Sequence, residues 1–172
     1  MIRPNKQEYY LGIAGKIGER STCFRNKLGA IIVKNDQIVA TGYIGACRKT
    51  KDCLERGKCL RDELEINHGE RYEVCRSVHA EQNAIINAAR SGVSILGGEM
   101  YISGIKADGE KIDAFPCYIC KKIIINAGLK NIICSTKDGK YEIFSIKDWV
   151  NDWQKKDLLD DQKKYGSDQN KK

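Results

Sequence analysis

No stretch of this 172-residue chain stays apolar for the roughly 20 residues that a membrane-crossing helix needs, which excludes a spanning helix. The opening residues, Met1-Ile2-Arg3-Pro4-Asn5-Lys6, lead into polar sequence with no apolar signal region, so a cytoplasmic protein is expected. Lacking that export signal, the eight cysteines do not read as the disulfide framework of a small secreted domain. Metal binding explains them better, because two of them stand in one C-x-x-C motif. There is no internal repeat. An aromatic and basic stripe of the kind on which single-stranded nucleic acid stacks is also missing, and the net charge of +7 does not replace it. Much of that charge belongs to Lys155, Lys156, Lys163, Lys164, Lys171 and Lys172, a solvated tail; nucleic acid is therefore not the expected partner.

What is present suits one domain with a full-sized core: 41% hydrophobic and 31% charged residues are ordinary for a soluble globular chain. Asn5 to Glu19 reads as a helix, with Asn5 and Glu8 at capping-box spacing and Tyr9, Ile13 and Ile17 forming a stripe. Leu28 to Val33 and Gln37 to Tyr43 are β-branched runs around Asn35-Asp36, which predicts a hairpin. Residues 44–78 lack sustained periodicity, hold Cys47, Cys53, Cys59 and Cys75, and form a cysteine-rich insert that needs some other means of holding shape. His79 to Arg90 is helical, with small residues at Ala80, Ala84, Ala88 and Ala89 that allow close approach to a sheet, and Gly92 stops it. Met100 to Ser103 is a strand, and Ile105 to Ile112 a protruding hairpin around Asp108-Gly109. Pro116 is expected to begin the next helix and Gly128 to end it. Leu129 to Cys134 and Tyr141 to Phe144 are strands, and Ser145 and Asp148 would cap a last helix carrying Trp149, Val150 and Trp153. The order predicts a three-layer α/β/α arrangement in which helices cover a mixed, about five-stranded sheet. The domain is expected to run over 1–159, followed by a polar, disordered tail at 160–172.

Two half-motifs carry the chemistry. His79-Ala80-Glu81 and Pro116-Cys117-Tyr118-Ile119-Cys120 place three zinc ligands beside one carboxylate that is not a ligand. Zinc held by one imidazole and two thiolates keeps a fourth position for water, whose pKa falls to roughly 7 on the metal. Glu81 then shuttles a proton between that water and a substrate. Each half-motif opens a helix, where partial positive charge favours the thiolates of Cys117 and Cys120. A C-x-x-C pair alone also fits a redox dithiol or half of a structural zinc knuckle. With His79 and Glu81 added, the pattern is the H-x-E…P-C-x-x-C signature of zinc nucleobase deaminases.

Over roughly residues 4 to 141 the chain resembles the deoxycytidylate (dCMP) deaminase family of the cytidine deaminase superfamily. The resemblance rests on Arg20-Ser21-Thr22-Cys23-Phe24-Arg25, Leu28-Gly29-Ala30-Ile31-Ile32-Val33, Thr41-Gly42-Tyr43, Val78-His79-Ala80-Glu81-Gln82-Asn83-Ala84-Ile85, and Pro116 to Cys120. It implies a cytidine deaminase-like fold and hydrolysis of dCMP to dUMP and ammonia, often by homo-oligomers (hexamers or dimers) regulated by dCTP and dTTP. Catalytic zinc would sit on His79, Cys117 and Cys120, with Glu81 protonating N3 of the cytosine and helping ammonia leave. A second, structural zinc would take Cys23 of the Cys-x-x-Arg segment with Cys53, Cys59 and Cys75, His68 being the alternative ligand. The substrate contacts implied are Arg25, Ala80, Tyr141 and Arg76, with Arg25 the first choice for the phosphate because a guanidinium binds it bidentately. Arg48 is a weaker choice for the same role. Cys47 and Cys134 have no assignment.

The chain departs from the family where Gly-Tyr-Asn-Gly is usual and Gly42-Tyr43-Ile44-Gly45 stands here. A branched hydrocarbon replaces an amide, so hydrogen bonds worth ~1–3 kcal/mol of discrimination are absent. This opens a second reading, a deaminase of the same fold acting on another aminated heterocycle. A non-catalytic zinc-stabilised interaction protein is a third, and Glu81 speaks against it. Editing of bases within RNA is disfavoured by the Arg20 to Arg25 block and the missing stacking stripe.

Overall fold

The computed structural model describes residues 3–67 and 69–157; His68 and the expected tail at 160–172 lie outside them. Helix α1 (Lys6–Gly18) starts at the expected capping box: the Glu8 backbone N–H donates to Asn5 Oδ1 at 2.8 Å, and the Asn5 N–H donates to Glu8 Oε2 at 3.2 Å. Its apolar stripe is rotated from the predicted one. Tyr9 stays 54% exposed while Tyr10, Leu11 and Ala14 turn inward, so Ile13 and Ile17 flank the buried face rather than centre it.

Strands β1 (Asn26–Lys34) and β2 (Gln37–Tyr43) form the expected hairpin. Asn35 and Asp36 both take left-handed backbone, φ 50° and 61°, which a tight two-residue hairpin requires and which these two residue types tolerate. With β5 (Glu99–Lys106), β6 (Asn131–Ser135) and β7 (Tyr141–Ser145) they make one five-stranded sheet in the order β2-β1-β5-β6-β7. Only β5 and β6 are parallel among these neighbours. A parallel pair needs a crossover, and helix α5 (Tyr118–Asn126) supplies it.

Strand alternation sorts the core into two layers. Ile31, Val33, Tyr101 and Ile133 face α1. Ala30, Ile32, Met100, Ile102 and Ile132 face the opposite layer, made of α4 (Ala80–Arg90), α5 and α6 (Ile146–Trp153). This is the three-layer α/β/α fold. Aromatic contacts hold α6 in place: Phe144 meets Phe115 edge-on at 5.2 Å and Trp149 at 5.8 Å, and the Lys121 ammonium lies 4.5 Å from the Trp149 ring centre.

The small residues of α4 do what the sequence implies. Ala80, Ala84 and Ala88 are buried, and α4 approaches β2 so closely that a Cβ on Gly42 would sit 2.3 Å from the Ala80 carbonyl oxygen. Gly42→Ala must therefore push back the helix turn that carries His79 and Glu81. We expect it to cost about 1–3 kcal/mol in urea unfolding, as overpacked sites do.

Four local expectations are corrected. Pro116 precedes the cap of α5 instead of occupying its first turn, because Cys117 takes the cap position with extended backbone, φ −67° and ψ 168°. Ser145 occupies the cap position of α6, but it is still paired with Asn131 in β7 and its hydroxyl makes no capping bond. The hairpin around Asp108-Gly109 is present but shorter than expected, closed by the single antiparallel bridge of Ile105 with Lys111 and by the Lys106 N–H donating to the Glu110 carbonyl at 2.8 Å. Finally, 44–78 is not without regular structure. It holds β3 (Gly45–Ala46) paired with β4 (Ser77–Val78), α2 (Cys53–Arg56), α3 (Leu60–Glu63) and a 3-10 turn at Tyr72–Val74.

Candidate active site

The two half-motifs converge from separate helix starts. His79 is the cap of α4 and its backbone N–H donates to Gln82 Oε1 at 3.2 Å; Glu81 lies in the first turn. Cys117 is the cap of α5 and Cys120 follows one turn on. His79 Nδ1 is 3.4 Å from Cys117 Sγ and 3.3 Å from Cys120 Sγ. Among the described residues these side chains form the one His/Cys/Cys group whose donor atoms all lie within 4.8 Å of one another. One neutral nitrogen and two sulfurs at such spacing suit a tetrahedral zinc with its fourth position left for another ligand.

The electrostatics agree. Cys117 is drawn down to about 4, first by its hydrogen bond with Cys120 and then by His79, against the opposing effect of burial. The same contact pushes Cys120 well above the ordinary thiol value, and burial adds to it. Burial by itself would lower His79, but the hydrogen bond with Cys117 and the Glu81 charge outweigh it, and the net shift is upward. Glu81 is 4% exposed, and burial foremost raises its carboxyl pKa against the attraction of His79. A buried carboxyl that holds a proton more readily than an exposed one is suited to taking up and returning it near neutral pH.

The remaining candidates sit elsewhere. Ala80 is fully buried between His79 and Glu81. Arg25 is engaged: its guanidinium donates to the Asp62 carboxylate and to the Ile66 carbonyl at 3.0 Å, and its backbone N–H points at Cys23 Sγ, 3.4 Å away. The Arg76 Nε donates to the Lys51 carbonyl at 2.6 Å. Arg48 donates to Asn87 in a cavity of about 520 Å³ that Tyr43, Lys49, Asn83 and Arg90 also line. Tyr141 packs on the α1 side of the sheet. Ile44 packs against the core on the α4 side. Cys53 is 5% exposed, and burial foremost raises its thiol, with the charges of Cys23, Cys59 and Cys75 adding to the shift.

Sequence reasoning passed over the residues that brace the site. Asn83 Nδ2 donates to the Tyr43 carbonyl at 2.8 Å and Asn87 Nδ2 to the Thr41 carbonyl at 2.7 Å, tying α4 to β2. Their i, i+4 spacing on the helix was the available signal. Tyr72 and Arg61, which pack behind His79, gave none, since both belong to the stretch without periodicity.

A mixed sheet that presents His-Cys-Cys donors and a lone carboxylate on two helix starts is the architecture of a zinc nucleobase deaminase. Residues 4–136 match the profile of the cytidine and deoxycytidylate deaminase zinc-binding region, and the chain belongs to that family. It is 30% identical over 135 residues to the deoxycytidylate deaminase of Mycobacterium phage D29, covering 77% of this chain and 96% of that protein. Identity to the Schizosaccharomyces pombe deoxycytidylate deaminase is 29%, over 78% of this chain but 38% of that longer protein. The cyanophage S-TIM5 dCMP deaminase, solved in complex with dCMP and dUMP, superposes with a TM-score of 0.55 at 32% identity, over 77% of this chain and 82% of that one. The Burkholderia pseudomallei cytidine deaminase shares the fold, with a TM-score of 0.57 at 17% identity over 84% of this chain and 95% of that one.

Proposed function

We propose that this protein is a zinc-dependent hydrolytic deaminase that converts free dCMP to dUMP and ammonia. The observation that carries the reading is the buried Glu81 carboxyl set beside the His79, Cys117 and Cys120 donors within a family whose similar members include dCMP deaminases. Zinc bound by those three residues supplies a Lewis acid that makes water a nucleophile near neutral pH. Glu81 accepts the proton released as water adds to C4 of the cytosine and passes it to N3. It then takes the remaining proton of the new C4 hydroxyl and delivers it to the amino group as the C4–N bond breaks and the C4 carbonyl forms, so the reaction consumes one water and releases one ammonia. Ala80 stands between ligand and carboxyl; fully buried, it is proposed to shape the site rather than to present a surface to the substrate. A phosphate reaching Arg25 must compete with Asp62 for it; Arg76 stands as a secondary contact, and Tyr141, packed on the α1 side of the sheet, is assigned none.

The second reading, another aminated heterocycle, is favoured by Ile44 alone. Ammonia release from dCMP, CMP, deoxycytidine, cytosine and other amino-heterocycles by zinc-replete protein separates the two. Turnover of dCMP above the rest supports the first, and turnover of a non-nucleotide with none of dCMP supports the second.

A second, structural zinc at Cys23, Cys53, Cys59 and Cys75 is part of the proposal. Among the described residues no three of these cysteines have their donor atoms within 4.8 Å of one another; support comes from the charges of Cys23, Cys59 and Cys75 acting on the Cys53 thiol and from the need to hold the 44–78 segment, which closed thiolate sites meet by contributing folding energy outright. Elemental analysis of the purified protein should give two zincs per chain; a single zinc removes this site.

A further inference from the structure

Metal-bound histidines are ordinarily oriented by a carboxylate or carbonyl gripping the ring nitrogen that faces away from the ion. Among the described residues, no such hydrogen bond fixes the His79 ring; its Nδ1 faces the two thiols. What meets the ring is Tyr72, from the 3-10 turn of the cysteine-rich segment. The two rings meet edge to face, with centroids 4.8 Å apart and planes at 86°. Tyr72 also carries Arg61 of α3, whose guanidinium carbon is 5.1 Å from the ring centre. Arg61 is 5% exposed, and it donates to the Asn67 carbonyl at 2.6 Å while its buried Nε has no hydrogen-bond partner among the described residues. A desolvated guanidinium over an aromatic face is held there by the ring quadrupole, so Arg61 fixes Tyr72 as Tyr72 fixes His79.

We infer that Tyr72, backed by Arg61, is the positioning residue for His79, and that through this stack the fold of the cysteine-rich segment sets the geometry of the metal centre. Asp62, next in sequence to Arg61, bonds Arg25, whose backbone N–H points at Cys23 Sγ, so the stack begins beside Cys23 of the cysteine set. The inference rests on the deaminase reading for the identity of His79 as a ligand, but not for the substrate.

The test replaces zinc with cobalt(II), whose visible bands report ligand geometry, in the wild-type chain and in Tyr72→Leu, Tyr72→Phe and Arg61→Met. Tyr72→Leu should shift the cobalt bands, weaken metal affinity or lower kcat by about 10–100-fold, and change KM for dCMP by less than about threefold. Tyr72→Phe keeps the ring and should restore the wild-type spectrum. Arg61→Met should shift the bands in the same direction by less, and it serves in place of Tyr72→Leu if that variant does not fold. An unchanged spectrum and affinity in Tyr72→Leu and Arg61→Met overturns the inference, as does a Tyr72→Phe variant that behaves like Tyr72→Leu. Should the wild-type chain fail to deaminate dCMP, the proposed substrate is wrong, and the spectral arm still decides on Tyr72.

Discussion

Glu81→Gln keeps its zinc and loses its turnover. The carboxyl is 4% exposed and takes no part in the His79, Cys117 and Cys120 donor group. An amide fills the same volume and preserves the helix start, so folding and metal content should match the wild type. What it cannot do is accept the proton from water and return it to the ring. General acid-base groups contribute about 10²–10⁴-fold, and here one residue serves both directions, so a loss at or beyond the upper end is expected. The check is a paired measurement of zinc content and initial rate on the same preparation. Turnover within tenfold of wild type in a zinc-loaded variant would remove Glu81 from its role.

His79→Ala loses the metal as well as the activity. Substituting partners outside the ligand shell already costs roughly 10–100-fold in metal affinity, and loss of a ligand should exceed that. The two thiols that remain would repel as thiolates without the cation between them, so one should take up a proton. The same balance gives the pH dependence. Zinc binds neutral imidazole and thiolate, and in the metal-free chain His79 is shifted above its ordinary 6.5 and Cys120 well above 9.0. Protons therefore compete with the metal at Cys120 across neutral pH, and at His79 as well once the pH falls below its raised pKa. Affinity should rise as pH increases, with protons released on binding, and zinc should be lost progressively as pH falls below the raised His79 pKa. Equilibrium titration against a chelator of known affinity at several pH values reads both effects.

The parts of the fold written in local chemistry were legible in the sequence. Asn5 with Glu8, Asn35-Asp36 and the alanines of α4 each act within a few residues of themselves, and the structure has the capping box, the hairpin and the close helix approach. The metal donors were legible for the same reason, since a helix start fixes where His79 and Cys117 point once the sheet brings the two helices together. Residues 44–78 were not legible because their elements are four residues long or shorter and are stabilised by distant partners: Asp62 by Arg25, Ser77 by Ala46, Tyr72 by His79. A period needs more than one turn to show. The stripe of α1 was misplaced for a related reason. Tyr9 and Tyr10 are equal candidates on the helix, and the sheet, where Tyr101 meets Tyr10 at 5.0 Å, chose the second.

Hydrolysis of the C4–N bond of a free cytosine deoxynucleotide is the reaction proposed for this site. Incubating zinc-replete protein with dCMP, and following loss of the cytosine absorbance together with ammonia released, tests it most directly. Stoichiometric formation of dUMP and ammonia, abolished by Glu81→Gln, is the result predicted. Zinc-replete, folded protein that leaves dCMP unchanged would contradict it.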